Sequence, residues 1–142
     1  MQKRVVEYLQ QMQSRELIEG QELFQEGAPP DDTMYFLLAG EVGIFKKRPE
    51  GERRINSLSA RAFFGEMALV NNRPRLATAR VISSRARVAV MNKDILLKLA
   101  GSSPQLLFNL LKYSVTRLLA GEDKLQRVKE ELRSEKKARG LA

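Results

Sequence analysis

Val5, Val6, Leu9 and Met12 recur at helical spacing, which predicts a short amphipathic helix within a helical region over residues 1–16. From Leu17 to Met91 the pattern changes to short apolar runs. These are Met34 to Leu38, Val42 to Phe45, Arg54 to Leu58, Ala77 to Ile82 and Arg87 to Met91. Gly20, Gly27 to Asp32, Ala39-Gly40 and Pro49 to Gly51 punctuate them. Many short strands at close spacing, with turn residues between them, predict an antiparallel β-roll or sandwich over residues 17–91.

The last third reads as helix. Asn92 is a suitable cap for a short helix over residues 92–101 that carries Ile95, Leu96 and Leu99, with Gly101 as its expected stop. Ser103-Pro104 then opens a long helix over 104–133, serine as cap and proline at the first helical position. Within it Leu107, Leu111, Ser114, Leu118, Gly121, Leu125, Val128 and Leu132 alternate at spacings of four and three, the seam of a coiled coil. Leu106, Leu110 and Leu119 widen the upper part, as expected of a helix that also packs on its own domain. A single packed helix and a parallel homodimer both fit this stripe; its continuation through Leu132 favours the dimer. The basic tail, 134–142, is expected to fray. The fold class is therefore α+β, a single domain over 1–133 with a β-roll flanked by a short N-terminal helix and C-terminal helices.

Composition narrows the function. The 142 residues fit one domain, and 43% apolar with 30% charged residues is ordinary for a soluble protein. No apolar run reaches the ~18 residues of a membrane span, and Met1 to Glu7 lack the apolar stretch of a signal peptide. Cysteine is absent, which removes disulfides and thiolate metal sites and fits a reducing cytoplasm, the expected location. Histidine is absent as well, so triads, HExxH zinc sites and imidazole relays are excluded. With no Walker-type glycine-rich lysine loop either, no enzyme is expected.

The net charge of +8 suits an anionic partner. Aromatic residues make up only 6% and tryptophan is absent, which supplies a nucleic-acid stacking surface poorly. No acidic residue lies between Glu66 and Asp94, while Arg73, Arg75, Arg80, Arg85, Arg87 and Lys93 all do. Such a run is either a solvated face or an anion site. The segment Phe63 to Ala79 bears on the choice. Gly65 permits a tight turn out of a strand, and Glu66 to Val70 then form about one helical turn whose first amides lack internal partners and can cradle a phosphate. Arg75, beyond the loop Asn71 to Pro74, can fold back over the same point with donors suited to two phosphate oxygens. Glu66 repels a phosphate but suits a sugar hydroxyl. The two together fit a ligand with an anion and a hydroxyl close to each other.

Phe64-Gly65-Glu66-Met67-Ala68-Leu69 and Pro74-Arg75-Leu76-Ala77-Thr78, in that order and at that gap, resemble the phosphate-binding cassette of the cyclic nucleotide-binding domain family, here residues 64–78. Upstream, Glu26-Gly27 and Met34 to Val42 resemble the family's strand and turn pattern. The resemblance implies an eight-stranded roll. It puts Glu66 on the ribose 2′-hydroxyl, Arg75 on the cyclic phosphate, and backbone groups of Gly65, Met67, Ala68, Leu76 and Ala77 around them. It also implies that the final helix closes over the base and carries the signal. The competing possibility is that Glu66 and Arg75 pair with each other in a nucleotide-free scaffold whose function is dimerisation or assembly.

Three departures from the family pattern stand out. Arg61 occupies a turn position where glycine is usual, so the turn is expected to change shape. Leu76 stands where members selective for cGMP place threonine or serine, so cAMP is the expected ligand over cGMP. No base-capping residue is identified; the Leu118 to Lys124 region, where one is expected, has Gly121 at its centre. Only ten residues follow Leu132, too few for a helix-turn-helix. Direct sequence-specific DNA binding is therefore not expected, and the output falls to an unidentified effector protein or domain.

Overall fold

The structure, a computed structural model, describes residues 13–140. It contains eight strands: β1 (Ser14–Ile18), β2 (Glu22–Phe24), β3 (Thr33–Ala39), β4 (Val42–Arg48), β5 (Gly51–Leu58), β6 (Phe63–Phe64), β7 (Thr78–Val81) and β8 (Arg85–Asn92). Three helices accompany them: α1 (Glu66–Val70), α2 (Lys93–Ser102) and α3 (Pro104–Ala138). The helical region expected over residues 1–16 falls mostly on residues 1–12, outside those described. Its last residues, Ser14 to Glu16, belong instead to β1, where Glu16 lies opposite Arg87 of β8.

The strands form two four-stranded sheets, in the orders β1-β8-β3-β6 and β2-β7-β4-β5, with every pairing antiparallel. Met34, Phe36, Leu37, Val42, Val81, Val88 and Met91 are almost completely removed from solvent and form the core. Each such side chain contributes about 1.5–3 kcal/mol relative to exposure. Phe36 of β3 meets Phe63 of β6 with ring centroids 4.7 Å apart, which seats the short strand leading into the cassette. On the other sheet Arg80 of β7 stacks over Phe45 of β4 at 4.5 Å. Its donors reach Glu22 of β2 at 2.7 Å and Glu52 of β5 at 2.6 Å, so one guanidinium ties four strands together. Arg53 and Arg54 lie on the exposed edge strand β5, where charge discourages pairing with another sheet.

Arg61 takes the left-handed conformation, with φ 76°, and its N–H donates to Leu37 O at 2.6 Å. Local backbone departs from the sequence reading in two places. Gly101 does not stop α2. It avoids the left-handed region, and the helix runs through it to Ser102, with Ser103 as the closing residue. The long helix passes its expected end at 133: α3 continues to Ala138 before Gly140 turns out at φ 72°. Residues 134–138 are mostly strong helix formers, and Lys136 and Lys137 complement the negative end of the helix. The Asn92 cap is formed: its Oδ1 accepts from Ile95 N at 2.9 Å.

The chain divides into two compact units, residues 1–104 and 105–142. The second is essentially α3. At 1.5 Å per residue its 35 residues extend for ~52 Å. Leu107, Leu111, Leu118, Leu125, Val128 and Leu132, six of the eight seam positions, each expose half or more of their surface.

Candidate phosphate-binding cassette

The cassette begins where β6 ends. Gly65 adopts φ 77° and ψ 14°, a conformation that suits glycine, and turns the chain into α1. No side chain caps this helix start. Glu66 is its first residue and is partly exposed, Met67 is exposed and Ala68 is buried. Leu76 exposes half its surface, and Ala77 leads into β7. Thr78, buried, accepts from Glu26 N at 2.9 Å through its hydroxyl, which fastens the end of the cassette to the strand-connecting loop of residues 25–32.

Arg75 is the centre of the arrangement. Its side chain is 2% exposed. Nη1 donates to Gly65 O at 2.9 Å, which brings together the two ends of the cassette that the sequence singles out. Nη2 donates to Asp31 Oδ1 at 2.5 Å, Thr33 O at 3.0 Å and Thr33 Oγ1 at 3.1 Å. The guanidinium also lies over the Phe24 ring at 4.2 Å, with the Tyr35 ring at 5.9 Å. Its backbone is held too: Arg75 N donates to Ala28 O at 2.9 Å, and Gly27 N donates to Arg75 O at 2.8 Å. Nε is the exception, a buried donor with no hydrogen-bond partner. An unpaired buried donor costs about 1–3 kcal/mol.

Sequence reasoning missed Asp31 and Thr33. The run Gly27 to Asp32 reads as a turn, and nothing in its composition says that it reaches a residue 44 positions away. The carboxylate on the guanidinium is Asp31, whereas the sequence offered Glu66. Burial alone would raise the Asp31 carboxyl. Hydrogen bonds from Thr33 and the Arg75 charge outweigh that effect and hold it below the ordinary carboxylate value. A cavity of about 480 Å³ lies elsewhere, lined by Glu16, Leu17, Ile18, Ala39, Arg85, Ala86 and Arg87, and contains none of the cassette residues.

The helix start, the glycine turn and the buried arginine thus lie together in one cassette. The profile of the cyclic nucleotide-binding domain matches residues 14–103, and the chain belongs to that family. The family's ligand class is the cyclic nucleotide, and the matched domain is a binding module rather than a catalytic one. A cAMP-dependent protein kinase regulatory subunit of Aspergillus fumigatus is 38% identical over 82 residues, covering 58% of this chain and 19% of the relative. A cyclic nucleotide-gated potassium channel of Mesorhizobium japonicum is 29% identical over 102 residues, covering 72% of this chain and 26% of the channel. The chain thus spans about a fifth to a quarter of the curated relatives it matches.

Among solved structures, the catabolite activator protein of Thermus thermophilus superposes with a TM-score of 0.77 at 24% identity, covering 91% of this chain and 61% of that one. At that identity the likeness is one of fold. A cyclic nucleotide-binding domain from Methylobacillus flagellatus gives a TM-score of 0.71 at 29% identity, with coverage of 87% and 72%. No helix among the described residues is long and apolar enough to cross a membrane.

Proposed function

We propose that this chain is a sensor module for cAMP. Arg75 takes the cyclic phosphate, Glu66 the ribose 2′-hydroxyl, and backbone groups of Gly65, Met67, Ala68, Leu76 and Ala77 line the remainder. The observation that carries this reading is the Arg75 guanidinium, fixed against Gly65 O and two aromatic rings while its buried Nε has no partner. Leu76 supports cAMP over cGMP, because an apolar side chain offers the guanine amino group neither donor nor acceptor. The names of the kinase regulatory subunits among the relatives point the same way. Binding is reported through the C-terminal helix, whose seam pairs with a second copy, and the absence of cysteine fits a cytoplasmic setting.

Calorimetric titration of nucleotide-stripped protein tests the reading. cAMP binds more tightly than cGMP, and Arg75→Ala loses about 10- to 150-fold in affinity, the equivalent of one charged hydrogen bond of about 1.5–3 kcal/mol. An Arg75→Ala protein that stays folded and binds cAMP as before overturns the assignment. A second reading, a nucleotide-free scaffold that dimerises through α3, draws on the pairing of Arg75 with Asp31, which satisfies part of the guanidinium without any ligand. A protein that binds neither nucleotide yet sediments as a dimer decides for the scaffold.

A further inference from the structure

We infer that Asp31 makes the site selective for the charge of its ligand, admitting a phosphodiester with one negative charge and rejecting a phosphate monoester with two. The inference rests on the cyclic-nucleotide reading above and adds to it a reason why the ring-opened nucleotide stays out. Arg75 is the cation at the centre of the cassette, and Asp31 already occupies its Nη2. Thr33 keeps the Asp31 carboxylate in place through its hydroxyl at 2.7 Å and its amide at 3.4 Å. Glu66, adjacent to Gly65, contributes a second carboxylate to the cassette. One guanidinium thus carries a carboxylate, that of Asp31, before any ligand arrives.

A cyclic phosphodiester brings one further charge, which Arg75 can accept through Nε. A 5′-monophosphate brings the same charge and, above its second ionisation near pH 6, another within a few ångströms of Asp31. At a separation of ~6 Å and an effective dielectric of about 20–40, that extra repulsion weakens binding about 10- to 100-fold. The remaining charged groups on these elements are Glu26 and Asp32 on the loop of residues 25–32, Arg73 on the cassette loop, and Lys47 of β4, whose backbone bonds Glu26. With no histidine in the chain, the ligand phosphate supplies the ionisation near neutral pH.

The test compares cAMP with 5′-AMP on the full chain at pH 8 and pH 5.5, in the wild type and in Asp31→Asn. For the wild type at pH 8, cAMP is strongly preferred, and the preference narrows about tenfold or more at pH 5.5 as the monoester becomes a monoanion. In Asp31→Asn the preference at pH 8 is already narrowed by a similar factor, and the dependence on pH flattens. A wild-type preference that is constant from pH 8 to 5.5 overturns the inference without recourse to any variant, because rejection by shape alone does not titrate. A preference in Asp31→Asn equal to that of the wild type overturns it as well. If the wild type binds cAMP and either result is found, only the role of Asp31 falls. If it binds neither nucleotide, the sensor reading falls and the inference with it.

Discussion

Replacing Gly65 by alanine strains the cassette in two separable ways. The first is conformational: at φ 77° a side chain costs about 1–2 kcal/mol. The second is steric, because a Cβ at this position meets Arg75 Nη1 at 2.8 Å, Phe24 Cε1 at 3.3 Å and Tyr35 Cδ2 at 3.4 Å. The guanidinium cannot simply swing aside, since Asp31 and Thr33 hold Nη2 and the Phe24 ring supports its face. Displacing it forfeits the charged hydrogen bond to Gly65 O, worth about 1.5–3 kcal/mol. The two contributions together come to about 2.5–5 kcal/mol. Gly27→Ala supplies the control, because Gly27 has a similar φ of 83° but nothing within 4 Å of its added Cβ. It is expected to lose only the conformational share. Hydrogen-exchange protection of the core amides of β3 and β8 reads the stability of the roll apart from α3. Equal losses in the two variants would refute the claim that Gly65 is there to make room for Arg75.

Two further outcomes follow from the fold. Arg61→Gly relieves a left-handed arginine and is expected to stabilise the roll by about 0.5–1 kcal/mol, visible as slower exchange of the same amides. Glu22 is held below its usual 4.5 by hydrogen bonds from Gln25 and then Arg80, and Glu52 by Arg80. Their stabilising share is therefore complete above pH 4.5 and is lost as the pH falls below it through the depressed values. A urea-midpoint series from pH 6 to 3 is expected to fall less steeply in Arg80→Gln than in the wild type, and parallel curves would contradict the Arg80 contribution.

The strands that the sequence predicts best are those whose apolar runs are bounded by turn residues. Met34 to Leu38 and Val42 to Phe45 fall inside β3 and β4, and Arg87 to Met91 inside β8. β1 is harder to see, because Ser14-Arg15-Glu16 carries no apolar alternation; its strand conformation comes from pairing with β8. The two residues of β6 are too few for any periodic signal. Gly101 misleads because a glycine near a helix end only permits the left-handed stop and does not compel it: the residue is exposed, takes no positive φ and is carried within α2, whereas the Asn92 cap is a local hydrogen bond and so is visible locally. In the site, the cassette ends Gly65 and Arg75 were legible because their chemistry is carried by residue type. The Asp31 and Thr33 contacts were not, since they depend on the loop between β2 and β3 folding back over 42 to 44 positions of chain.

The clamp on Arg75 bears on how portable the motif is. Its backbone is anchored by Gly27 and Ala28, its guanidinium by Asp31 and Thr33, and its flat face by Phe24, all far upstream of the cassette itself. A synthetic peptide of residues 60–80 would carry every signature residue but, of the groups that aim the arginine, only Gly65 O. Transplanting this recognition element onto another scaffold therefore requires the stretch from Phe24 to Tyr35 as its companion, with both pieces presented in their native register.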